Sequence, residues 1–484
     1  MRKDEQGQPD MINKAIKLVL ILLFIFTPIV FGSMELWACS LMELGILAII
    51  VLWAIQNAVR NTPAYRIGRE CGIRNFKYEI LFISIFLALI LFQIIPLPPG
   101  VVKILSPKTY ELRHSLAISI PQFALRSPQF QISFMPFVTK IEFLKWVTLS
   151  SLFLFLLYWG FVGEGFRGMN HFVIAIFLIG VFESLYGMFE FFSGHQQILH
   201  LKGGPFVTGT FINRNYFAGY LLMVIPLSMG FLFYRESTKK GRFVNWRQRL
   251  SMLDGKTVLI TFGVMVMILG LLFSGSRMGI LSLLLAFSLI SLLFGDLRKG
   301  GKFSKASVLI LGLGVLWGVW IGLDAVINRF FSVSENFKSR WMIWANTFDI
   351  LKDFPVLGSG LGTFGQIFPM YRSFHIRRFI THAENDFLQL ASEVGLVGTG
   401  MLLILFVFLF FKAVSGIRSL PNSEPRRHIG LGGLVGILAL MFHSLVERNI
   451  QIPSNAFLYT FIWVLVLQAT LFKTSEKFVR GEIR

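Results

Sequence analysis

The chain has 484 residues, of which 54% are hydrophobic, and its mean hydropathy is +0.67. This composition, which includes 52 Phe, excludes an ordinary soluble globular domain and indicates a polytopic membrane protein. The formal net charge of +20 would suit a nucleic-acid-binding protein, but the charges are distributed along the chain in a way that argues against nucleic acid as a partner.

Twelve apolar runs are long enough to form spanning helices, since a span needs about 20 mostly apolar residues. They are 17–34, 36–55, 78–95, 144–161, 172–192, 215–234, 257–273, 278–295, 306–323, 393–411, 429–446 and 456–472. No clean small-residue cleavage site follows the first run, so we expect a retained first helix rather than a signal peptide. The sequence therefore predicts an all-α fold, a single integral membrane domain over residues 1–484 with about twelve transmembrane helices.

The basic residues predict the orientation of this bundle. With a cytoplasmic N-terminus, the inside segments contain 29 of the 46 Lys and Arg residues, and the loop RESTKKGRFVNWRQR at 235–249 is the clearest case. This asymmetry favours cytoplasmic N- and C-termini. The positive charge is then mainly an orientation signal that also attracts anionic membrane lipid.

The orientation places residues 324–392 outside the cytoplasm as a long loop. Within it, SRWMIWANTFDILKDF has an apolar stripe at 3, 4, 3 spacing, formed by Trp341, Trp344, Phe348 and Leu351. The pattern predicts an amphipathic helix along the membrane interface, where tryptophan is favoured. A helix packed on the bundle with no role of its own explains the pattern equally well.

Three glycines follow that helix in PVLGSGLGTFGQ. Gly360, Gly362 and Gly365 match the GxGxxG pattern of dinucleotide-binding proteins. No strand of a βαβ unit precedes them, and the loop is predicted to face away from cytosolic nucleotides, so we reject a nucleotide site. A tight reversal after the amphipathic helix is the better interpretation.

Two arginines interrupt apolar runs at the same predicted membrane face. Arg214 opens the sixth span in GTFINRNYFAGYL between Asn213 and Asn215, and Arg277 follows Ser276 in the short link SGSRMG. An arginine near hydrocarbon costs roughly 2.5–3.5 kcal/mol on insertion scales. Snorkelling to lipid headgroups is one explanation. The alternative is a diphosphate site, since guanidinium groups and helix N-termini both bind phosphate oxygens.

The segment THAENDFLQLASEVGLVG contains a second candidate site. His382 and Glu384 stand just before the tenth span, where Thr381 or Asn385 could cap the helix. An imidazole and a carboxylate two residues apart at an apolar boundary form a candidate general-base pair. A capping cluster that merely ends a loop is the alternative.

A third polar group lies at the end of the eleventh span, in HSLVERNIQIP. His443 and Glu447 are four residues apart and would share a helix face, with Arg448 beside them. These side chains could line the path of an acceptor. They could equally be a polar group satisfied inside the bundle.

These motifs occur together in one known group of proteins. GTFINRNYFAGYL, SGSRMG, GSGLGTF, HAENDFLQLASEVGLVG and HSLVERNIQIP occur in the order typical of the O-antigen ligase and polymerase superfamily, and FQIIPLPPG at 92–100 is also common there. The resemblance is most specific over about 206–400, which we take as the ligase-like core. It implies a GT-C-like, multi-span glycosyltransferase that takes a glycan from undecaprenyl diphosphate at the periplasmic face of the bacterial inner membrane.

The resemblance also implies roles for the candidate residues. Arginines that match Arg214 and Arg277 hold the diphosphate in the ligases, so neither a metal nor a cofactor is expected, and the acceptor hydroxyl attacks with inversion. In the ligase pattern the catalytic histidine is followed by Asn, Ser or Gln, then by nine residues and then by Gly-x-x-Gly, which here begins at Gly395. Glu384, followed by Asn385, occupies that position here. Either Glu384 is the base and His382 orients it, or His382 has taken over the role.

This departure weakens the case for a lipid A-core ligase and favours a polymerase or a related exopolysaccharide or glycoprotein glycan transferase, so the acceptor stays open. A ligase would use lipid A-core, and a polymerase or related transferase would use another glycan. A flippase for lipid-linked glycans, which would do no chemistry, should have charged residues through the middle of the bundle and a path to the cytoplasmic face. In this chain the distinctive charges gather at one predicted face, which favours an enzyme.

Overall fold

The structure, a computed structural model, describes residues 7–59, 76–119, 130–162, 170–238, 254–294, 323–375 and 379–479. Long helices dominate these residues. In chain order they are α1 (Gly7–Ile29), α2 (Leu36–Val59), α3 (Lys77–Ile94), α4 (Pro99–Leu105), α5 (Pro107–Ser119), α6 (Pro136–Val162), α7 (Asn170–Phe192), α8 (Arg214–Thr238), α9 (Gly255–Phe273), α10 (Arg277–Leu293), α11 (Leu323–Asp353), α12 (Phe364–Tyr371), α13 (Asp386–Ser419), α14 (Arg426–Ser444) and α15 (Pro453–Val479). A 3₁₀ turn at Phe31–Ser33 and a two-stranded hairpin, β1 (Gln197–Ile198) and β2 (Leu201–Lys202), complete the described elements.

Nine of the helices in the described part of the chain are long and apolar enough to cross a membrane, namely α1 to α3, α6 to α9, α13 and α14. Helix α10 is apolar but has only 17 residues. The predicted span 306–323 lies outside the described residues except for its last position, and α15, which covers the predicted span 456–472, is not among the nine. The prediction of a polytopic helical membrane protein is confirmed, whereas the count of twelve spans is not.

Helices α8 and α14 form the centre of the bundle. In the most apolar stretch of 18 residues in each helix, 89% and 83% of the residues are buried inside the protein, compared with 22% in α2. The two helices approach closely because glycines replace side chains at the crossing: a Cβ atom on Gly432 would lie 2.3 Å from the Pro226 carbonyl oxygen. Small residues at such crossings allow close backbone packing where lipid supplies no hydrophobic driving force.

Helix α11 contains the predicted amphipathic segment, but it packs through a different stripe. Ile343, Ile350 and Phe354 are buried against α12. Trp341 and Phe348, from the predicted stripe, are 60% and 51% exposed. The helix therefore packs on its neighbour through one apolar face and leaves Trp341 and Phe348 exposed on another, and its position along a membrane interface stays a prediction.

The GxGxxG glycines form the predicted reversal between α11 and α12. Gly360 and Gly362 have φ of +111° and +80°, a region that residues with a Cβ atom rarely adopt. Gly365 lies in the first turn of α12. The β structure of the described residues consists of the short hairpin and one isolated bridge, so no βαβ unit surrounds these glycines.

Buried polar groups tie this reversal to α13. The Glu393 carboxylate accepts hydrogen bonds from the Gly362 and Phe364 amides at 2.8 and 3.3 Å. Helix α13 is kinked at Gly395, where φ is +69°, and the amide of the next residue donates to the Pro355 carbonyl at 2.8 Å. These bonds fix the start of α13, and with it the loop that contains the candidate base.

Candidate functional site

Helix α8 begins at Arg214, as the sequence predicts. The Asn213 side-chain oxygen accepts a hydrogen bond from the Asn215 amide at 2.8 Å, which satisfies one of the free amides of the first turn. The arginine thus lies at the positive end of the helix dipole, and the capping asparagine before it fixes where the helix starts.

The Arg214 guanidinium lies beside the motif that contains the second arginine. Its Cζ atom is 3.9 Å from the centre of the Phe206 ring. A Cβ atom on Gly275 would be 3.5 Å from Arg214 Nη1, and Gly275 has a positive φ of 63°, so glycine suits this position. Arg277, two residues on, is exposed at the first position of α10. The Arg214 side chain therefore lies against the 274–277 link, which leads into Arg277 and the start of α10.

A buried polar chain connects this link to the start of α13. Ser276 Oγ lies 3.5 Å from His443 Nε2, and His443 Nδ1 lies 3.2 Å from the Asn449 side-chain nitrogen. The Asn449 and Ile450 amides donate to the Asp386 carboxylate, both at 2.8 Å. His443 is fully buried. It lies inside this chain of contacts and is not exposed along a path for an acceptor.

The prediction that His443 and Glu447 share a helix face is wrong. Helix α14 ends at Ser444, and Glu447 and Arg448 lie in the turn that follows. Residues four apart share a face only while the helix continues. The turn directs Glu447 toward α11, where it forms an ion pair with Arg340.

The His382–Glu384 loop is held from both sides. Asn385 caps α13 by accepting from the Leu388 amide at 3.0 Å, in agreement with one of the two predicted caps. Trp344 of α11 donates from Nε1 to the Ala383 carbonyl oxygen at 3.0 Å. Glu384 adopts a left-handed backbone with φ of +52°. That conformation is uncommon for a residue other than glycine, asparagine or aspartate, and such strain is often found at functional sites.

Three predicted charged residues converge on one tyrosine. Glu384, Glu447 and Arg448 lie close enough to the Tyr216 hydroxyl to act on it electrostatically. Tyr216 is in the first turn of α8, two residues after Arg214. The loop before α13, the turn after α14 and the start of α8 therefore meet at one place.

The surroundings of His382 and Glu447 shift the pKa values of both side chains. Burial, reinforced by the positive charges of Arg448 and Lys145, lowers the pKa of His382 to about 2. Burial raises the pKa of Glu447; Arg340 opposes this shift and Glu384 reinforces it. His382 is thus a neutral imidazole at physiological pH, and its Nδ1 atom is buried without a hydrogen-bond partner among the described residues.

Sequence reasoning missed three residues of this site. Arg340 and Asp386 were not singled out, and Tyr216 was taken as part of the apolar run 215–234. The available signal for Asp386 was an acidic residue at the first position of a helix, where it complements the helix dipole. For Arg340 and Tyr216 the sequence offers no local signal.

The arrangement combines cations at helix starts with a carboxylate loop. Arg214 and Arg277 can bind an anion such as a phosphate. The Glu384 carboxylate can accept a proton from a group placed near Tyr216. Within the described ranges, no group of three or more His, Cys, Asp and Glu side chains is arranged to hold a metal ion.

The fold and this site define a class: a multi-span helical membrane protein in which two arginines at helix starts and a loop bearing a carboxylate lie at the ends of the helices. Residues 262–403 match the family model described as O-antigen ligase. This match confirms the resemblance to the O-antigen ligase superfamily and supports activity of the O-antigen ligase or polymerase type at the level of the family. The matched range includes Arg277, His382 and Glu384. Arg214 and the turn after α14 lie outside it. A comparison with curated proteins found no match.

Proposed function

We propose that this protein transfers a glycan from undecaprenyl diphosphate to an acceptor hydroxyl, with inversion and without a metal ion. The reaction takes place at the periplasmic face of a bacterial inner membrane, with both termini in the cytoplasm. Residues 206–400 form the core of the enzyme, and 324–392 form its periplasmic loop. The observation that carries the proposal is the position of Arg214, which is next to the link bearing Arg277 and two residues before the tyrosine on which Glu384 and Glu447 converge.

Arg214 and Arg277 bind the donor diphosphate in this proposal. Guanidinium groups bind phosphate oxygens bidentately, and the free amides at the starts of α8 and α10 add to the positive potential. The diphosphate is the leaving group, so its negative charge grows as the glycosidic bond breaks. Fixed cations stabilise that charge more in the transition state than in the ground state, which is the condition for catalysis.

Glu384 is the better candidate for the base. His382 is partly buried near two cations, and its pKa of about 2 means that the imidazole accepts a proton poorly. The carboxylate of Glu384 lies with that of Glu447 near Tyr216, at the place where the three segments of the site meet. His382 then orients the loop or the acceptor, and Asn385 fixes the loop by capping α13.

The proposed reaction is a single displacement at the anomeric carbon of the donor sugar. The acceptor oxygen forms a bond to the anomeric carbon as the bond from that carbon to the diphosphate oxygen breaks. The electron pair of the broken bond leaves with the diphosphate, and the proton of the acceptor hydroxyl passes to Glu384. Attack from the face opposite the leaving group inverts the anomeric configuration.

The acceptor is lipid A-core for a ligase and a second lipid-linked glycan for a polymerase. Deletion of the gene and analysis of the surface glycan separate these possibilities. Loss of chain length beyond one repeat indicates a polymerase, and undecorated core with accumulated lipid-linked polymer indicates a ligase. Full-length surface glycan in the deletion strain would contradict both.

A flippase for lipid-linked glycans is the remaining alternative. Reconstituted protein should join donor and acceptor in vesicles with the donor in the outer leaflet, where no translocation is needed. Transport of the donor across the bilayer without any new glycosidic bond would favour the flippase and refute the transferase.

A further inference from the structure

An open cavity of about 520 Å³ lies between α12 and the segment before the candidate base. Its volume falls within the roughly 300–1,000 Å³ typical of small-molecule sites. Gly365, Gln366 and Pro369 form one wall, and Phe379, Thr381 and His382 form the other. His382 therefore connects the cavity to Glu384, two residues further along the chain.

The lining combines one large aromatic face with neutral polar groups. Phe379 is 67% exposed, and Gln366 and Thr381 offer an amide and a hydroxyl. An aromatic ring provides a rigid apolar surface, and amide and hydroxyl groups both donate and accept hydrogen bonds. A sugar ring has the matching chemistry, because its C–H face is apolar and its edge consists of hydroxyl groups.

The wall formed by α12 is rigid. Phe364, Ile367 and Phe368 are buried against α11. The Tyr371 hydroxyl at the end of α12 donates to the Asp353 carboxylate at 2.6 Å. Because the wall is held in place before any ligand arrives, little conformational entropy is lost when one binds.

We infer that this cavity binds a sugar unit of the acceptor and presents its hydroxyl toward Glu384. This inference rests on the proposed transfer reaction, and it identifies the acceptor group nearest the reacting hydroxyl as a neutral saccharide. The ring packs on Phe379, and the hydroxyl groups bond to Gln366 and Thr381. Donor binding at Arg214 and Arg277 is separate from this cavity.

Substitutions at two positions, Phe379 and Gly365, test the cavity in different ways. Phe379→Ala removes the packing surface, and Phe379→Trp restores one. Gly365→Leu fills the space, since a Cβ atom at Gly365 already lies 3.4 Å from the Thr381 carbonyl oxygen and meets nothing closer. Phe348→Ala is the matched control, because Phe348 is also half exposed on the same outer segment but does not line the cavity.

The measurement is steady-state transfer by the full-length protein in nanodiscs, with donor and acceptor varied separately. Two acceptor probes are tested separately, namely the saccharide released by mild acid from the lipid-linked glycan of the producing bacterium and the core saccharide released in the same way from its lipid A-core, so that both a polymerase and a ligase meet their acceptor. We expect Phe379→Ala and Gly365→Leu to raise the KM for the acceptor at least tenfold with the donor KM unchanged, and Phe379→Trp and Phe348→Ala to behave like the wild type. Unchanged acceptor KM in the first two variants would overturn the inference, as would an acyl chain found in the cavity.

Direct binding distinguishes failure of this inference from failure of the proposed reaction. Saturation-transfer NMR of the same two saccharides reports binding whether or not transfer occurs. Binding by the wild type that Gly365→Leu abolishes, without any transfer by the wild type, would support the cavity and refute the transferase. Transfer by the wild type that neither variant impairs would leave the transferase standing and refute the cavity.

Discussion

Arg340 and Glu447, separated by 107 positions in the sequence, form a partly buried ion pair that fastens α11 to the turn after α14. Arg340 Nη1 also donates to the Val446 carbonyl oxygen at 2.6 Å. One turn later on the same helix, Trp344 holds the loop of Glu384 through the Ala383 carbonyl. Helix α11 therefore positions both carboxylates that converge on Tyr216.

Arg340→Met should destabilise the protein strongly. Glu447 is only 3% exposed, and removing one partner of a buried pair leaves an uncompensated charge, which costs about 3–5 kcal/mol. Glu447→Gln in the same chain removes that charge, so the double variant should regain most of the lost stability. Thermal unfolding in detergent micelles measures both effects.

Lys352→Met is the control for the ion pair. Lys352 and Asp349 pair on the same helix, but their side chains are 60% and 50% exposed, and exposed pairs contribute only about 0–1 kcal/mol. A loss of stability in Lys352→Met equal to that in Arg340→Met would show that charge on α11, and not the contact with Glu447, is responsible.

Arg214→Ala and Arg277→Ala should each abolish transfer while the protein remains in the membrane. Lysine should rescue poorly at either position, because a point charge cannot reproduce the bidentate guanidinium contact. Transfer from a lipid-linked donor, normalised to membrane level, measures this.

Full activity of Arg214→Lys would show that Arg214 is a snorkelling residue and would remove half of the support for the diphosphate site. Arg418→Lys is a suitable control, since Arg418 donates to the Leu293 carbonyl oxygen at the opposite end of α10 from Arg277.

The parts of the structure that depend on local sequence could be predicted. Helix α8 was expected at 215–234 and spans Arg214–Thr238, and Asn385 caps α13 as one of two options. Apolar runs and capping residues act on their immediate neighbours, so the sequence contains the necessary information.

The apolar face of α11 could not be assigned from the sequence. Periodicity identified Trp341 and Phe348, yet Ile343 and Ile350 form the buried face. In a membrane protein the exterior is also apolar, so a hydrophobic stripe does not distinguish lipid-facing from core-facing positions. Similarly, the pairing of Arg340 with Glu447 depends on tertiary packing between distant segments, for which a single sequence offers no signal.

Stability should fall in acid partly because of His382. Its folded pKa of about 2 is lower than the unfolded value near 6.5, so the unfolded chain binds more protons between these values. Stability is therefore highest above about pH 6.5 and decreases as the pH falls. His382→Asn should lose less stability than the wild type between pH 7.5 and pH 5, measured by thermal unfolding. An identical acid dependence in the two proteins would show that His382 is protonated freely in the folded state.

The left-handed backbone of Glu384 predicts a conflict between stability and activity. A residue with a Cβ atom costs roughly 1–2 kcal/mol in this conformation, whereas glycine adopts it readily. Glu384→Gly should therefore raise the unfolding free energy by about 1 kcal/mol and abolish transfer. Glu111→Gly, within helix α5, should instead lower it by about 0.5–1 kcal/mol. If Glu384→Gly is less stable than the wild type, the interactions of the Glu384 carboxylate stabilise the fold by more than its left-handed backbone conformation destabilises it.

The assignment of the base gives the sharpest test of the site. Glu384→Gln keeps the shape and hydrogen-bonding capacity of the side chain but removes the basic oxygen, so it should lose nearly all transfer activity. His382→Ala should reduce activity less completely, because a partly buried imidazole near two cations is a poor proton acceptor. Glu384→His restores the residue that the ligase pattern has at this position and should keep part of the activity. In vitro transfer from a lipid-linked donor, with the membrane level of each variant checked, is the measurement. Near-normal turnover by Glu384→Gln beside an inactive His382→Ala would reverse the assignment. Normal turnover by both variants would show that this loop only caps α13 and that the proton is accepted elsewhere.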